Sequence, residues 1–340
     1  MRSISVISTQ FQLINAVEYI KNKDIKENIL FIDSSTKERE NKIRHLLISD
    51  AYDKVFYKIY SIPRFVIGIP YLNAVLKKIF IFVLLLKKYN FVIIGNYNSV
   101  IHKYSLLKAS NKNNKIKRVI VDDGTLTYSY YTIRKDEISL KRGTHVDSRF
   151  LKILFYNDFF KLVNFSYTFF SMYTISVVSI DCLEKNTMNY LRTNYTRIKE
   201  LEEMNEINSI NNVILGQPFV DFDILSSENY NSVIEFILKK QCIGETIYIR
   251  HPAEKKIPAI NVNKMSLDLP FECIVFLLND NCNIYGITTS ALVSAKNIRP
   301  DLNVYSLDIL SLIDSKLSHY NTFFDIYEGF KKSKIEIITF

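Results

Sequence analysis

The sequence predicts an α/β protein made of two Rossmann-like domains. Three observations carry that reading. The first half alternates apolar strand-like runs with helix-spaced segments. A polar stretch, Lys199–Asn212, interrupts the pattern, and a second alternating unit follows it. The length of 340 residues suits two domains better than one.

In the first half, Ser3–Ile7 reads as a strand. Phe11–Ile20 reads as a helix, with Leu13, Val17 and Ile20 on one face. Asn28–Ile32 is a second strand, Thr36–Leu47 a polar helix and Val55–Ile59 a third strand. Pro70–Leu86 reads as a long apolar helix with proline at its first position. Phe91–Ile94 and Val119–Val121 are short buried strands. Strand, helix, strand in repetition implies a parallel sheet covered on both faces. Tyr128–Tyr131 and Ile138–Lys141 read as a hairpin. The aromatic run Arg149–Tyr173 is expected in a core or subunit interface ahead of a membrane-facing surface.

The polar stretch places the first domain at residues 1–205 and the second at 212–340. In the second, the expected strands are Val213–Leu215, Thr246–Ile249, Asn283–Tyr285, Asn303–Ser306 and Ile335–Ile338. The expected helices are Asn229–Lys239, Pro270–Leu278 and Ser290–Asn297.

Composition excludes several function classes. Net charge is +9, which favours anionic partners, but the charge is spread along the chain. No zinc-finger, RNP-type or basic-zipper pattern is present, and the aromatics lie in apolar runs, so a nucleic-acid partner is not expected. Cys182, Cys242, Cys273 and Cys282 form no CxxC pair and have no nearby histidine cluster; they read as buried thiols in a reducing cytosol. No cleavable leader is read at the start. The apolar run Ile79–Leu86 is shorter than the roughly 20 residues of a spanning helix. A cytoplasmic protein is expected, with peripheral contact at the membrane's inner face as an option.

In open parallel sheets ligands bind beyond the carboxyl ends of strands. Four motifs stand there. Asp122-Asp123-Gly124 follows Arg118–Val121. It offers two carboxylates on a turn, one of which can act as a general base with its pKa raised by the other. His251-Pro252 follows Ile247–Ile249. Its ring can hydrogen-bond a phosphate or protonate a leaving group, and the proline stiffens the turn. Thr288-Thr289-Ser290 opens a helix and suits an anion. Gly216-Gln217-Pro218 follows Val213–Leu215, where glycine admits close approach of a ligand; Asp221 and Asp223 lie downstream. Each has a plainer alternative as a turn or cap. No GxGxxG, GxxxxGK[ST] or GxSxG motif occurs after a strand. The spacing Asp221-Phe222-Asp223 lies outside the context of a metal-dependent nucleotide-sugar site. A metal-free mechanism follows, with protein groups neutralising a leaving phosphate.

The order Asp-Asp-Gly, then His-Pro, then a hydroxyl cluster resembles the bacterial lipooligosaccharide sialyltransferases of glycosyltransferase family 52. Similar stretches are Ser8–Ala16, Val121–Thr125, Ile214–Pro218, His251-Pro252, Phe271–Ile274 and Tyr285–Leu292. The resemblance implies a GT-B arrangement of two facing Rossmann-like domains and an inverting alpha-2,3 transfer from CMP-sialic acid to a galactose-type surface glycan. It implies no cofactor and no metal, a lipid-linked glycan acceptor, and a homodimer. It assigns His251 and Pro252 to the departing phosphate, Glu272 to the nucleoside, Thr288, Thr289 and Ser290 to the donor phosphate, and Gly216 and Gln217 to the first turn of the donor domain. Some members place the base directly after the Gly-x-Pro turn, where this chain has Phe219. Related enzymes use the second acid of Asp-Asp-Gly. Asp123 is therefore the first choice of base, with Asp221 second and Asp122 its neighbour in the motif. Extension of polysialic acid, use of another CMP-linked keto-sugar, or a non-catalytic assembly role are the alternatives.

Overall fold

The computed structural model describes residues 1–34, 36–46, 51–57, 89–109, 116–139, 164–173, 175–194, 207–314 and 320–340. The chain divides into two compact units. The first comprises Met1–Asp123, Tyr130–Ser171 and Ile175–Asn186; the second comprises Gly124–Ser129, Met172–Thr174 and Thr187–Phe340.

In the first unit, β1 (Arg2–Ile7), β2 (Glu27–Ile32), β3 (Lys54–Tyr57), β4 (Phe91–Ile94), β5 (Lys117–Val121), β6 (Thr168–Ser171) and β7 (Cys182–Lys185) form one sheet. Among the described residues its order is β3-β2-β1-β4-β5-β6-β7, and every pairing is parallel. The sheet reverses direction of growth between β1 and β4, which makes their carboxyl ends a topological switch point. β1 and β4 are buried almost throughout, as expected for strands covered on both faces. Helices α1 (Gln10–Asn22), α2 (Lys37–His45), α3 (Val100–Ala109) and α4 (Tyr130–Ser139) belong to this unit. Thr9 caps α1: its side chain accepts from the Gln12 amide at 3.2 Å. One core cluster joins Ile4, Val6, Val92, Ile94 and Ile120 from the strands to Tyr97, Leu106, Tyr130 and Phe169.

In the second unit, α5 (Asn189–Asn194) precedes β8 (Asn212–Leu215). Then come α6 (Ser227–Lys240), β9 (Thr246–Arg250), β10 (Asn263–Ser266), α7 (Phe271–Ile274), β11 (Asn283–Gly286), α8 (Ser290–Ile298), β12 (Asn303–Asp308), α9 (Tyr320–Lys332) and β13 (Glu336–Thr339). The sheet order is β10-β9-β8-β11-β12-β13, again parallel throughout. Here the switch point lies between β8 and β11. Both units thus have the doubly wound, Rossmann-like architecture that the sequence predicts.

Two local expectations are corrected. The hairpin expected after Asp-Asp-Gly is a 3-10 turn, Leu126–Ser129, running into helix α4. Tyr130, Ile133, Arg134 and Glu137 are all buried, and their spacing is that of one helix face. That periodicity outweighs the strand preference of the tyrosines. The helix expected over Pro270–Leu278 is a short α7 followed by a 3-10 turn, Val275–Leu277, and the change falls at the β-branched pair Ile274-Val275. The apolar helix expected at Pro70–Leu86 and most of the aromatic run and the polar linker lie outside the described residues. Of the aromatic run, Tyr167, Phe169, Phe170 and Tyr173 are buried. Of the cysteines expected to be buried, Cys273 and Cys282 are, Cys242 is half-buried, and Cys182 is exposed at the start of the edge strand β7. Among the described residues no helix is long and apolar enough to cross a membrane.

Helix α4 is pinned by charge. Arg134 donates from Nε to Asp181 at 3.0 Å and from its terminal nitrogen to the Phe165 carbonyl at 2.6 Å, and it lies over the Tyr167 ring. Lys103 on α3 donates to Glu137 at 2.6 Å, with both side chains buried. A buried charge left without its partner is far more costly than a broken surface pair. Asp181→Ala is therefore expected to lower stability by about 3–5 kcal/mol in urea unfolding. Breaking the exposed Lys239–Glu235 pair with Glu235→Ala should change stability by less than about 1 kcal/mol.

Candidate active site

In the first unit, chemistry-bearing residues gather at the carboxyl edge of β1, β4 and β5. The two acids after β5 point to different surroundings. Asp122 is wholly buried and accepts from the Ser171 hydroxyl at 2.5 Å, which ties the end of β5 to β6. Asp123 accepts from the Gln12 side-chain amide on one oxygen and from the Tyr130 hydroxyl, 3.3 Å away, on the other. Gly124, at a φ of 69°, then turns the chain in a conformation that glycine adopts without strain.

Burial pushes the Asp123 carboxyl up to about 6, against the pull of the Gln12 and Tyr130 hydrogen bonds, which favour the ionised form. The expected cause was crowding by Asp122. Removal from water is the dominant cause instead. Burial likewise raises the Tyr130 hydroxyl well above its ordinary value, so it stays protonated and acts as a donor to Asp123. A carboxylate poised near neutral pH, with both oxygens oriented, has the properties of a general base.

In the second unit the candidates stand after β8, β9 and β11, which are neighbours in the sheet. Gln217 and Thr288 join the loops on either side of the switch point. The Thr288 amide donates to Gln217 Oε1 at 2.8 Å, and Gln217 Nε2 donates to the Thr288 hydroxyl at 3.3 Å. Thr289 caps α8, its hydroxyl accepting from the Ala291 amide at 3.3 Å, and Ser290 is the first helical residue. The helix start directs backbone donors and positive dipole to the same edge.

His251 is oriented by its own loop. The Ala253 amide donates to Nδ1 at 3.0 Å. An N–H can donate only to a lone pair, so the neutral ring carries its hydrogen on Nε2, where it is a donor. The His251 amide donates to Glu254 Oε2 at 3.3 Å. Glu254 is buried and accepts from Tyr248 at 2.6 Å; Tyr248 meets Tyr230 at 3.0 Å, and Tyr230 accepts from the Gln217 amide at 2.8 Å. One polar chain thus links the loops after β8 and β9. It also occupies the face of Gly216: a Cβ there would lie 2.4 Å from the Tyr248 hydroxyl and 2.6 Å from Glu254 Oε2. The absent side chain at Gly216 admits this network, where the sequence suggested approach of a ligand.

The remaining candidates are placed differently from one another. Pro252 is exposed. Glu272 is buried and hydrogen-bonded with Ser294 of α8, and burial raises its carboxyl pKa. Asp221 accepts from the Lys255 and Lys256 amides at 2.8 and 3.2 Å. Those donors lower its pKa, which makes it a weaker base than Asp123. Gln12, Tyr130 and Glu254 escaped the sequence reading. Gln12 lay within the Ser8–Ala16 stretch, and Glu254 stands three residues after His251, but a buried polar side chain leaves no periodic signal.

A family model for alpha-2,8-polysialyltransferase (POLYST) matches residues 3–308. The chain belongs to that family. It is a glycosyltransferase of a sialyltransferase family, and this implies a nucleotide-sugar donor and a glycan acceptor. No curated protein matches the sequence. Among solved structures, the glycosyltransferase VinC in complex with DTDP is similar at 9% identity and a TM-score of 0.49, over 100% of this chain and 87% of that one. The spinosyn forosaminyltransferase SpnP is similar at 9% identity and a TM-score of 0.46, over 97% and 90%.

The raised Asp123 pKa makes a stability prediction. The folded state holds the Asp123 proton more tightly than the unfolded chain, whose carboxyl has the ordinary value of 3.8. Between that value and about 6 the unfolded chain ionises first, so the contribution of this group to stability falls as pH rises through the window. Asp123→Asn never ionises. It should melt above the wild type at pH 8, and the gap should close toward pH 4. Thermal melts across that range check it; a gap independent of pH would contradict it.

Proposed function

We propose that this enzyme transfers sialic acid from CMP-sialic acid to a glycan hydroxyl, with inversion and without a metal. The two Rossmann-like units suit the GT-B plan, with residues 1–205 serving the acceptor and 212–340 the donor. The observation that carries the reading is the Asp123 carboxylate, half-buried and oriented by Gln12 and Tyr130 within a chain of a sialyltransferase family. In the proposed step the acceptor oxygen bonds to the anomeric carbon while the bond from that carbon to the phosphate oxygen breaks. The hydroxyl proton passes to Asp123. The bonding pair leaves with CMP, whose growing charge is met by His251 Nε2–H and by the start of α8 with Thr289 and Ser290. Gln217 and Thr288 hold the two loops that shape the donor side. Glu272, wholly buried against α8, would act on the nucleoside through the position of that helix.

The family supports a sialic acid acceptor and an alpha-2,8 product, hence extension of a polysialic acid chain. Alpha-2,3 transfer to galactose on lipooligosaccharide, O-antigen or capsule is the competing outcome, favoured by the motif order. The net charge of +9 suits the anionic donor and an anionic acceptor, including one carried on lipid at the inner face of the cytoplasmic membrane.

The test is incubation with CMP-sialic acid, excess chelator and a panel of oligosialic and galactose-ended acceptors, with products read by mass and linkage. Extension of the oligosialic acceptor through alpha-2,8 bonds is expected, at a rate unaffected by chelator. Loss in chelator restored by magnesium or manganese would overturn the metal-free step. Alpha-2,3-sialylated galactosides alone would overturn the acceptor assignment and leave the donor standing. His251→Ala is expected to lower kcat by roughly 10²–10⁴-fold, with CMP affinity and melting temperature close to wild type. Wild-type turnover in that variant would remove His251 from the mechanism.

A further inference from the structure

Asp123 is not oriented by its own loop. Besides Tyr130, the group that reaches it comes from the first turn of α1, across the switch point of the first sheet. Gln12 is fully buried. Its Oε1 accepts from the Ser8 amide at 2.7 Å, and its Nε2 donates to Asp123 Oδ1. This orientation of the amide is fixed by its partners. A flip would set Nε2 against the Ser8 N–H and Oε1 against the carboxylate, donor facing donor and acceptor facing acceptor.

The path of the side chain is fixed as well. It passes Gly95, the first residue after β4. A Cβ at that position would lie 2.2 Å from Gln12 Oε1 and 2.3 Å from its amide carbon, so any side chain at residue 95 would displace the amide. The two loops that flank Gln12 are tied by His102 on α3. The Asn96 amide donates to its Nδ1 at 3.0 Å, which leaves the hydrogen of the neutral ring on Nε2, 3.0 Å from the Ser8 hydroxyl. Gln12 is therefore held at its oxygen by a braced backbone amide, and its remaining polar end is aimed at one carboxylate.

We propose that Gln12 is a positioning residue: its side-chain amide, anchored on Ser8 and threaded past Gly95, orients the Asp123 carboxylate and supports its ionised form. The inference rests on the proposed role of Asp123 as base and adds the group that makes the base usable in a buried place. A hydrogen bond donated to a carboxylate favours the charged form over the neutral one. Without it, the same burial acts with less opposition, and Asp123 gives up its proton only at higher pH. A residue that merely filled space would change the amount of folded enzyme and leave the pH dependence of turnover where it was.

The experiment measures kcat/KM for sialyl transfer against pH, with CMP-sialic acid and an oligosialic acceptor. It compares wild type, Gln12→Met, Gln12→Asn and Asp123→Asn, each with a melting temperature and a CMP affinity. Methionine keeps the length and loses the donor. Asparagine keeps the amide and is one methylene too short to span Ser8 and Asp123, so it serves where methionine does not fold. In the wild type the acid limb is expected near pH 6, since the base must be ionised and its carboxyl is held at about 6. In either Gln12 variant the limb is expected about one pH unit higher. Activity at pH 6 then falls roughly fivefold, much of it returns on the alkaline side, and CMP affinity is unchanged. A folded Gln12 variant whose acid limb stays at the wild-type pH overturns the inference. If Asp123→Asn is inactive in that same case, the base assignment survives without it. If Asp123→Asn turns over like the wild type, the base assignment falls and the role of Gln12 falls with it.

Discussion

Asp123 holds a carboxylate largely away from water just beyond the end of a parallel strand, and the first unit is arranged around that placement. Burial alone would favour the neutral acid. Two donors from different elements oppose it: Gln12 from α1 and Tyr130 from α4. Each donor depends on further structure. Gln12 needs the missing side chain of Gly95 and the brace that His102 forms between Ser8 and Asn96. Tyr130 needs α4 in place, and α4 is fixed by Arg134–Asp181 and Lys103–Glu137, two ion pairs in the protein interior. Such pairs add little net stability compared with apolar packing, but they strongly penalise any arrangement that separates them. Here they penalise displacement of the helix that carries Tyr130.

The second unit applies the same device to a histidine. Its polar chain from Gln217 through Tyr230 and Tyr248 to Glu254 is buried, and it ends on the backbone of His251. The Gln217–Thr288 pair closes the loops on either side of the β8–β11 switch point. In both units, then, strand ends supply the reactive groups, and buried polar side chains from neighbouring elements set their direction. A fully satisfied network of this kind is stiff, which suits groups that must meet a developing charge without reorganising.

The strands were legible because parallel strands covered on both faces are continuous apolar runs, as in Val92-Ile93-Ile94 and Ile247-Tyr248-Ile249. The interior strand β6 was hidden in the aromatic run, and of the edge strands β3 and β13 were legible while β7 and β10 were not. β10 (Asn263–Ser266) and β7 (Cys182–Lys185) are largely exposed and carry no apolar pattern. Helix α4 resembles a hairpin in sequence because tyrosine, threonine and isoleucine favour strands, although the burial of Tyr130, Ile133, Arg134 and Glu137 follows a helical period. Helix α9 carries a helical signal in the sequence, with Phe323, Ile326, Tyr327 and Phe330 on one face. The candidate site divides in the same way. Asp123, His251 and Thr289 follow strands, and the position itself marks them. Gln12 and Glu254 are polar residues whose importance lies in being buried, and one sequence does not distinguish a buried glutamine from an exposed one.

The proposed transfer step depends on the Asp123 carboxyl being largely withdrawn from water and poised near neutral pH. Its titration measures this directly. With 13C-labelled aspartate, the Asp123 carboxyl resonance is the one missing from the spectrum of Asp123→Asn, and its shift can be followed from pH 3 to pH 9 by about half-unit steps. A single inflection near pH 6 is expected. An inflection at the ordinary carboxylate value of 3.8 would mean that the group is solvated and relaxed, and would contradict the account.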